Sequence, residues 1–205
     1  MNICSMMIAV LFLPQAVSSS QNDETSSVTI LISYDSRTGD TETFARAVLE
    51  GVGTVEGVRG VLRKHADVSD KEISAADGIL VGSPVHWGNL STKTKGFIDR
   101  LGGVLASGGE LGADSRAANR TPRTGGAFVT GGSVASGKEL VRIGILASLL
   151  SFKFVLIGGE DADGFGTLGA QATTGPSDPG LSEAELAEAR RFGARFARLT
   201  QKLAR

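Results

Sequence analysis

Hydroxyl-bearing residues and a glycine separate an apolar run from a helical pattern near the start of this chain. The β-branched run Val28–Tyr34 predicts a strand, and the residues from Thr41 onward have helical spacing. The turn between them is Ser36-Arg37-Thr38-Gly39-Asp40-Thr41. The first N–H groups of such a helix lack partners, and the helix dipole adds about half a positive charge there. The stretch therefore predicts a phosphate site, with the hydroxyls of Ser36, Thr38 and Thr41 as donors and Gly39 as the flexible point.

The spacing of this turn differs from two better-known phosphate loops. It has neither the Gly-Lys-Ser/Thr of nucleoside triphosphate loops nor the three glycines of the dinucleotide fingerprint. A single phosphomonoester is therefore the expected ligand. An ordinary capped helix after a strand is the alternative, because Ser, Thr and Asp are also common caps.

Two further loops are expected at strand ends. The stretch Pro84-Val85-His86-Trp87-Gly88 offers a large aromatic face at Trp87, and Thr130-Gly131-Gly132-Ser133, followed by Gly137, is nearly bare backbone before a helix. A flat conjugated ring could lie between the aromatic side chain and the bare N–H groups. The alternatives are a Trp87 folded back on the core and a His86 that is simply solvated.

Alternating strands and helices place these loops. Strands are expected at 28–34, 58–63, 76–84, 127–130 and 152–157, and helices at 41–52, 138–150 and 182–203, with long loops at 102–126 and 158–180. A further helix reaches Leu101, with either Asn89 or Ser91 as its cap. This pattern predicts an α/β fold with a doubly wound, five-stranded parallel sheet, order 2-1-3-4-5, and helices on both faces. Ligands of such sheets bind at the carboxyl ends of the strands beside the switch point, where all three loops would lie.

Composition narrows the functional class. The length of 205 residues indicates one domain. The net charge of -1 gives no electrostatic indication of nucleic-acid binding. One cysteine, Cys4, and two separated histidines, His65 and His86, leave no obvious metal ligands, so no metal site is predicted.

Residues 1–27 are predicted to precede the domain, which occupies 28–205. The apolar stretch 6–13 and the small residues after it resemble a secretory signal peptide, but no Lys or Arg occurs before Arg37. Both a cleaved leader and an unrelated extension therefore remain open, and the compartment with them. Residues 21–27 are expected to be a polar linker, and the apolar stretch is too short to span a bilayer, so no integral membrane span is predicted.

The three loops together resemble those of flavodoxin-like FMN proteins. The closest similarity is to the tryptophan-repressor-binding-protein family of NAD(P)H:quinone oxidoreductases, and it extends from about Val28 to the carboxyl end through Ile98-Asp99-Arg100-Leu101-Gly102-Gly103. The resemblance implies that residues 36–41 hold the ribityl phosphate, that 84–88 flank the isoalloxazine and that 130–133 with Gly137 line its pyrimidine side. It also implies a homo-oligomer, a dimer or a tetramer, and a cytoplasmic location.

The implied reaction is the transfer of two electrons from NAD(P)H through FMN to a quinone. No catalytic side chain is assigned with certainty; Trp87 would stack on the substrate and His86 would hydrogen-bond a substrate oxygen. The chain departs from the family at Leu150-Ser151, where relatives tend to carry a histidine pair beside the ring, and at 112–123, which resembles an insertion. A flavodoxin-type electron carrier and a module that has lost its flavin are the alternative functions.

Overall fold

A parallel sheet with helices on both faces forms the protein in the computed structural model, which describes residues 28–111, 122–175 and 180–204. Five parallel strands follow the order β2-β1-β3-β5-β6. They are β1 (Val28–Tyr34), β2 (Val58–Lys64), β3 (Gly78–His86), β5 (Thr124–Gly131) and β6 (Val155–Leu156). The two-residue strand β4 (Asn89–Leu90) accounts for the shift in numbering, so the predicted order 2-1-3-4-5 is confirmed.

The described residues form five α-helices, of which the first four connect strands and the fifth follows the last strand. They are α1 (Asp40–Gly53), α2 (Asp70–Ala75), α3 (Thr92–Ser107), α4 (Lys138–Ser151) and α5 (Glu183–Leu203). The helix expected at 182–203 is confirmed, and it begins with a capping box: the Ser182 hydroxyl accepts from Glu185 N–H and the Glu185 carboxylate accepts from Ser182 N–H.

Each face of the sheet carries its own hydrophobic core. One core packs α1 and α5 on the sheet around Phe44, Phe128, Phe192 and Phe196. The other packs α3 and α4 on the opposite face around Phe97, Leu101, Ile145 and Leu149. The apolar run of β3 is buried by both cores, as expected for a central parallel strand.

Several predicted boundaries were wrong. Helix α3 continues through Gly102 and the exposed Gly103 to Ser107, and its inner face packs Gly102 against Phe152: a Cβ on Gly102 would lie 2.9 Å from the Phe152 ring. The predicted loop 158–180 contains three strands, β7 (Gly159–Glu160), β8 (Gly166–Thr167) and β9 (Ala170–Thr173). The fifth strand is split, since β6 pairs with the start of β5 and β9 pairs with its end.

Some sequence predictions fall outside the described residues. These are the leader and linker at 1–27 and most of the segment 112–123. Within the part of the chain that the structure describes, no helix is long and apolar enough to cross a bilayer.

Candidate flavin site at the carboxyl edge of the sheet

The three predicted loops meet at one edge of the sheet. Strands β1, β3 and β5 are direct neighbours, with Tyr34 opposite Gly82 and Pro84 opposite Thr130. Because all three strands are parallel, their carboxyl ends share this edge. The fold therefore brings together the residues that the sequence places in separate segments.

The first loop ends at a helix start with open backbone donors. Gly39 caps α1 with φ of 109°, a conformation that favours glycine, and its carbonyl accepts from Thr43 N–H at 2.9 Å. The N–H groups of Asp40, Thr41 and Glu42 have no acceptor among the described residues. These three donors face the loop, as an anion site at a helix start requires.

The hydroxyls of this loop have hydrogen-bond partners within the loop and at the end of β5. The Thr41 and Thr130 hydroxyls lie 2.8 Å apart and are buried, which ties the first loop to the third. Ser36 Oγ accepts from Gly39 N–H at 3.2 Å and keeps its own hydrogen for another acceptor. The Thr38 hydroxyl donates to the Asp40 carboxylate at 2.6 Å, so it must turn to reach a ligand. The Arg37 side chain is exposed.

The second loop is a hairpin and not the end of a strand as predicted. Strand β3 runs through Pro84 to His86, turns at Trp87-Gly88, and pairs antiparallel with β4. Proline is tolerated there because the pairing of β3 with β1 has already ended at Gly82, so no ladder bond on that side needs its N–H.

Trp87 stands fully in solvent at the tip of this hairpin. Its exposure is 104% and its φ is 54°, next to Gly88 at 76°. Both values match a two-residue type I′ turn, in which Asn-Gly is preferred and a bulky first residue is strained. The indole therefore does not fold back on the core, and it occupies a position where an asparagine would be more stable.

We expect Trp87→Asn to raise the free energy of unfolding by about 1 kcal/mol, because asparagine accepts positive φ at lower cost. Urea denaturation measures this change. Trp87→Phe is the matched control and should leave stability unchanged, since it keeps an aromatic ring in the same strained turn. A loss of stability in Trp87→Asn would mean that the indole makes contacts that offset the strain.

The third loop presents backbone donors and one unpaired hydroxyl. Thr130 and Gly131 end β5, and no described residue accepts from the N–H groups of residues 132–136. Ser136 Oγ is buried without a hydrogen-bond partner in the described structure. The loop closes against the hairpin, since a Cβ on Gly137 would lie 3.0 Å from the Gly88 carbonyl oxygen. Together these groups fit a planar ligand with polar edges.

A buried polar network beneath the first two loops was missed by the sequence analysis. His65 Nδ1 lies 2.6 Å from Ser33 Oγ, and its Nε2 lies 3.1 Å from the Gly82 carbonyl. The ring also stacks on Phe97 at 4.6 Å. Burial lowers the pKa of His65 to about 4, although the nearby Asp35 carboxylate acts in the opposite direction. The partners are 17 to 32 residues away along the chain, so no local motif could reveal them.

Leu150 and Ser151, which stand where relatives tend to carry a histidine pair, lie away from the three loops. Leu150 and Ser151 form the last turn of α4. A helix that follows a parallel strand returns to the opposite edge of the sheet, so these two residues are not beside the three loops. The departure at Leu150-Ser151 therefore removes nothing from this edge.

This arrangement defines a flavodoxin-like α/β protein. A sequence model described as NADPH-dependent FMN reductase matches residues 57–143. A flavodoxin from Aquifex aeolicus is 36% identical over 169 residues, which covers 82% of this chain and 84% of that protein. An NAD(P)H dehydrogenase (quinone) from Geobacter metallireducens is 29% identical over 209 residues, which covers 85% of this chain and 98% of that protein.

Solved structures agree on the fold. A flavodoxin, WrbA-like protein from Agrobacterium tumefaciens superposes with a TM-score of 0.64 at 22% identity, over 86% of this chain and 99% of that one. An archaeal flavodoxin superposes with a TM-score of 0.63 at 19% identity, over 85% of this chain and 99% of that one. The chain belongs to the flavodoxin family, within the FMN-binding, flavodoxin-like oxidoreductases.

Proposed function

We propose that this protein binds FMN at the carboxyl edge of its sheet and transfers two electrons from NAD(P)H to a quinone. The observation that carries the proposal is the convergence of three open loops: unpaired N–H groups at α1, an exposed indole at the hairpin tip, and bare amides after β5. The names of the Geobacter relative and of the matching reductase family support the reaction.

The first loop would hold the phosphate. The N–H groups of Asp40, Thr41 and Glu42 have no acceptor among the described residues, and the dipole of the 14-residue helix α1 favours negative charge at its start. Ser36 and the Thr41–Thr130 pair can each supply one hydroxyl hydrogen. The exposed Arg37 adds a positive charge beside the same loop.

The second and third loops would hold the ring. Trp87 presents a planar face to solvent, so a ring or a quinone can stack on it. The half-exposed His86, which precedes Trp87 in the hairpin, would hydrogen-bond a substrate oxygen. The N–H groups of residues 132–136 and the Ser136 hydroxyl would pair with the polar edge of the ring. When bound, FMN supplies the hydride and electron chemistry, and the protein provides position and electrostatics.

The test begins with the purified full-length chain. After loading with FMN, gel filtration and a visible spectrum show whether flavin stays bound, and NADPH oxidation is then followed with and without benzoquinone. We expect retained flavin and quinone-dependent oxidation of NADPH. A protein that refuses FMN would overturn the proposal, and so would one that holds FMN but gives no quinone-dependent turnover with NADPH or NADH.

A flavodoxin-type electron carrier is the second candidate, favoured by the 36% identity to the Aquifex aeolicus flavodoxin. A carrier would bind FMN, take up electrons in two separate one-electron stages and show no quinone turnover. The net charge of -1 disfavours it, because a carrier that is steered to its partners is expected to be strongly acidic. A stepwise reductive titration distinguishes the two.

A further inference from the structure

A buried lysine lies at the start of α4, directly below the third loop. Lys138 is the first residue of α4 and is 3% exposed. Lysine is almost never fully buried without a charged partner, and a cation at a helix start opposes the helix dipole. Its position is therefore costly for the folded protein.

The ammonium group has a neutral direct partner. Lys138 Nζ donates to the Thr173 hydroxyl at 2.5 Å, and no carboxylate oxygen lies within salt-bridge distance of it in the described residues. Burial lowers its pKa, and the charges of Glu139, Glu185 and Glu188 act in the opposite direction.

The nearest carboxylates are committed to other donors. Glu185 accepts from Thr173 N–H at 2.7 Å and also from the N–H and hydroxyl of Ser182. Glu139 is exposed and lies 3.4 Å from Arg142, a second buried cation whose Nε has no partner among the described residues. No carboxylate therefore neutralises Lys138 by contact.

The lysine stem supports the floor of the proposed ring site. A Cβ on Gly131 would lie 2.8 Å from Lys138 Cγ and 2.2 Å from the unpaired Ser136 hydroxyl oxygen. Thr173, which holds the ammonium, is the partner of Gly131 across the β5–β9 ladder. The buried lysine stem therefore lies against Gly131, and its ammonium is bound to the residue that pairs with Gly131.

We infer that the Lys138 ammonium stabilises the negative charge that FMN gains on two-electron reduction. Lys138 therefore raises the reduction potential of bound FMN. This inference rests on the proposed function, since it takes the third loop as the site of the pyrimidine edge. Oxidised FMN that accepts two electrons and one proton gains one negative charge. A fixed cation nearby favours that product, by the same physics as an oxyanion hole.

The experiment compares wild type with Lys138→Met, both loaded with FMN, by measuring the midpoint potential in a dithionite titration with a reference dye. Oxidised FMN should bind with a dissociation constant within about twofold of wild type. Reduced FMN should bind about tenfold more weakly, which lowers the potential by about 30 mV for a two-electron couple. Lys138→Arg keeps the charge and should restore most of the potential.

Two further variants separate a charge effect from a packing effect. Lys138→Gln keeps a donor for Thr173 without the charge and should match Lys138→Met. Lys202→Met removes an exposed lysine in the last turn of α5. It should leave the midpoint potential of bound FMN unchanged.

An unchanged potential in both neutral variants would overturn the inference and leave the proposed function intact. The failure of both to retain oxidised FMN would also overturn it, because a residue that acts through charge alone leaves oxidised binding intact. If wild type itself binds no FMN, the proposed function fails first, so the two failures are distinguishable.

Discussion

The double variant Thr38→Val/Thr41→Val is expected to bind FMN about 100-fold more weakly than wild type while its affinity for riboflavin stays the same. The Thr41 hydroxyl, and the Thr38 hydroxyl once it has turned from Asp40 to the ligand, would each lose a hydrogen bond to a charged phosphate when replaced by Val. Each bond is worth about 1.5 kcal/mol, and about 3 kcal/mol in total corresponds to the stated factor. Riboflavin lacks the phosphate, so the loss should be confined to FMN. Quenching of flavin fluorescence on titration with protein measures both constants.

Thr43→Val is the matched control for that experiment. It makes the same chemical change in the same first turns of α1, but the Thr43 hydroxyl donates to the Gly39 carbonyl and is exposed. We expect its FMN affinity to equal that of wild type. An equal loss for FMN and riboflavin in the double variant would show that the substitutions disturb the fold, since Thr41 also pairs with the buried Thr130 hydroxyl.

The stability of the FMN-free protein is expected to fall as the pH decreases from about 6.5 to 4. Burial holds the pKa of His65 at about 4 in the folded state, against about 6.5 in an unfolded chain. Between these values the unfolded state binds a proton that the folded state does not, so acid favours unfolding. The slope is about 1.4 kcal/mol per pH unit and the full window amounts to about 3 kcal/mol, measured by urea unfolding at several pH values.

The difference between wild type and His65→Gln isolates this contribution. Carboxylates with lowered pKa values, such as Glu42 and Glu72, also lose stabilising interactions in acid, and the raised pKa of Glu188 acts in the opposite direction. All of these groups remain in the variant, so they cancel in the difference. His86→Gln should keep the wild-type dependence, and a His65→Gln curve parallel to wild type would contradict the assignment.

The hydroxyl-rich turn before α1 and the His65 network lie near each other at the carboxyl edge of the sheet. Ser33, which pairs with His65, lies two residues before Asp35, and Asp35 N–H donates to Gly82, whose carbonyl also meets His65 Nε2. Protonation of His65 would therefore disturb the backbone from which the first and second loops emerge. FMN affinity measured at pH 5 and pH 7 would show whether the network also supports the ligand site.

Local sequence was sufficient for the fold class and for locating the hydroxyl-rich turn before α1. Continuous apolar runs at β1 and β3 and the amphipathic pattern of α5 depend on residues close together in the chain, and the structure confirms these elements. The turn at residues 36–41 was recognisable because its hydroxyls, Gly39 and the start of α1 are consecutive. Its assignment as a phosphate site remains a prediction.

Tertiary packing decided what the sequence could not. The glycines Gly102 and Gly103 suggested a loop, but α3 continues through both, and Gly102 packs against Phe152. Two short strands share the fifth place in the sheet, since β6 pairs with the start of β5 and β9 pairs with its end. Pro84 suggested a strand end, yet β3 continues because Pro84 pairs with Thr130 of β5 and Val85 pairs with Leu90 of β4. Such outcomes depend on neighbours that are distant in the chain.

By itself the sequence determined that strands and helices alternate and that a hydroxyl-rich turn precedes α1, since both are set by residues within a few positions of each other. Only the tertiary structure decided that His65 is buried against Ser33, that Lys138 lies against Gly131 next to Thr173, and that Trp87 stands in solvent. The physical reason is that burial and charge environment arise where separate strands and helices come into contact. No spacing along one segment records those contacts.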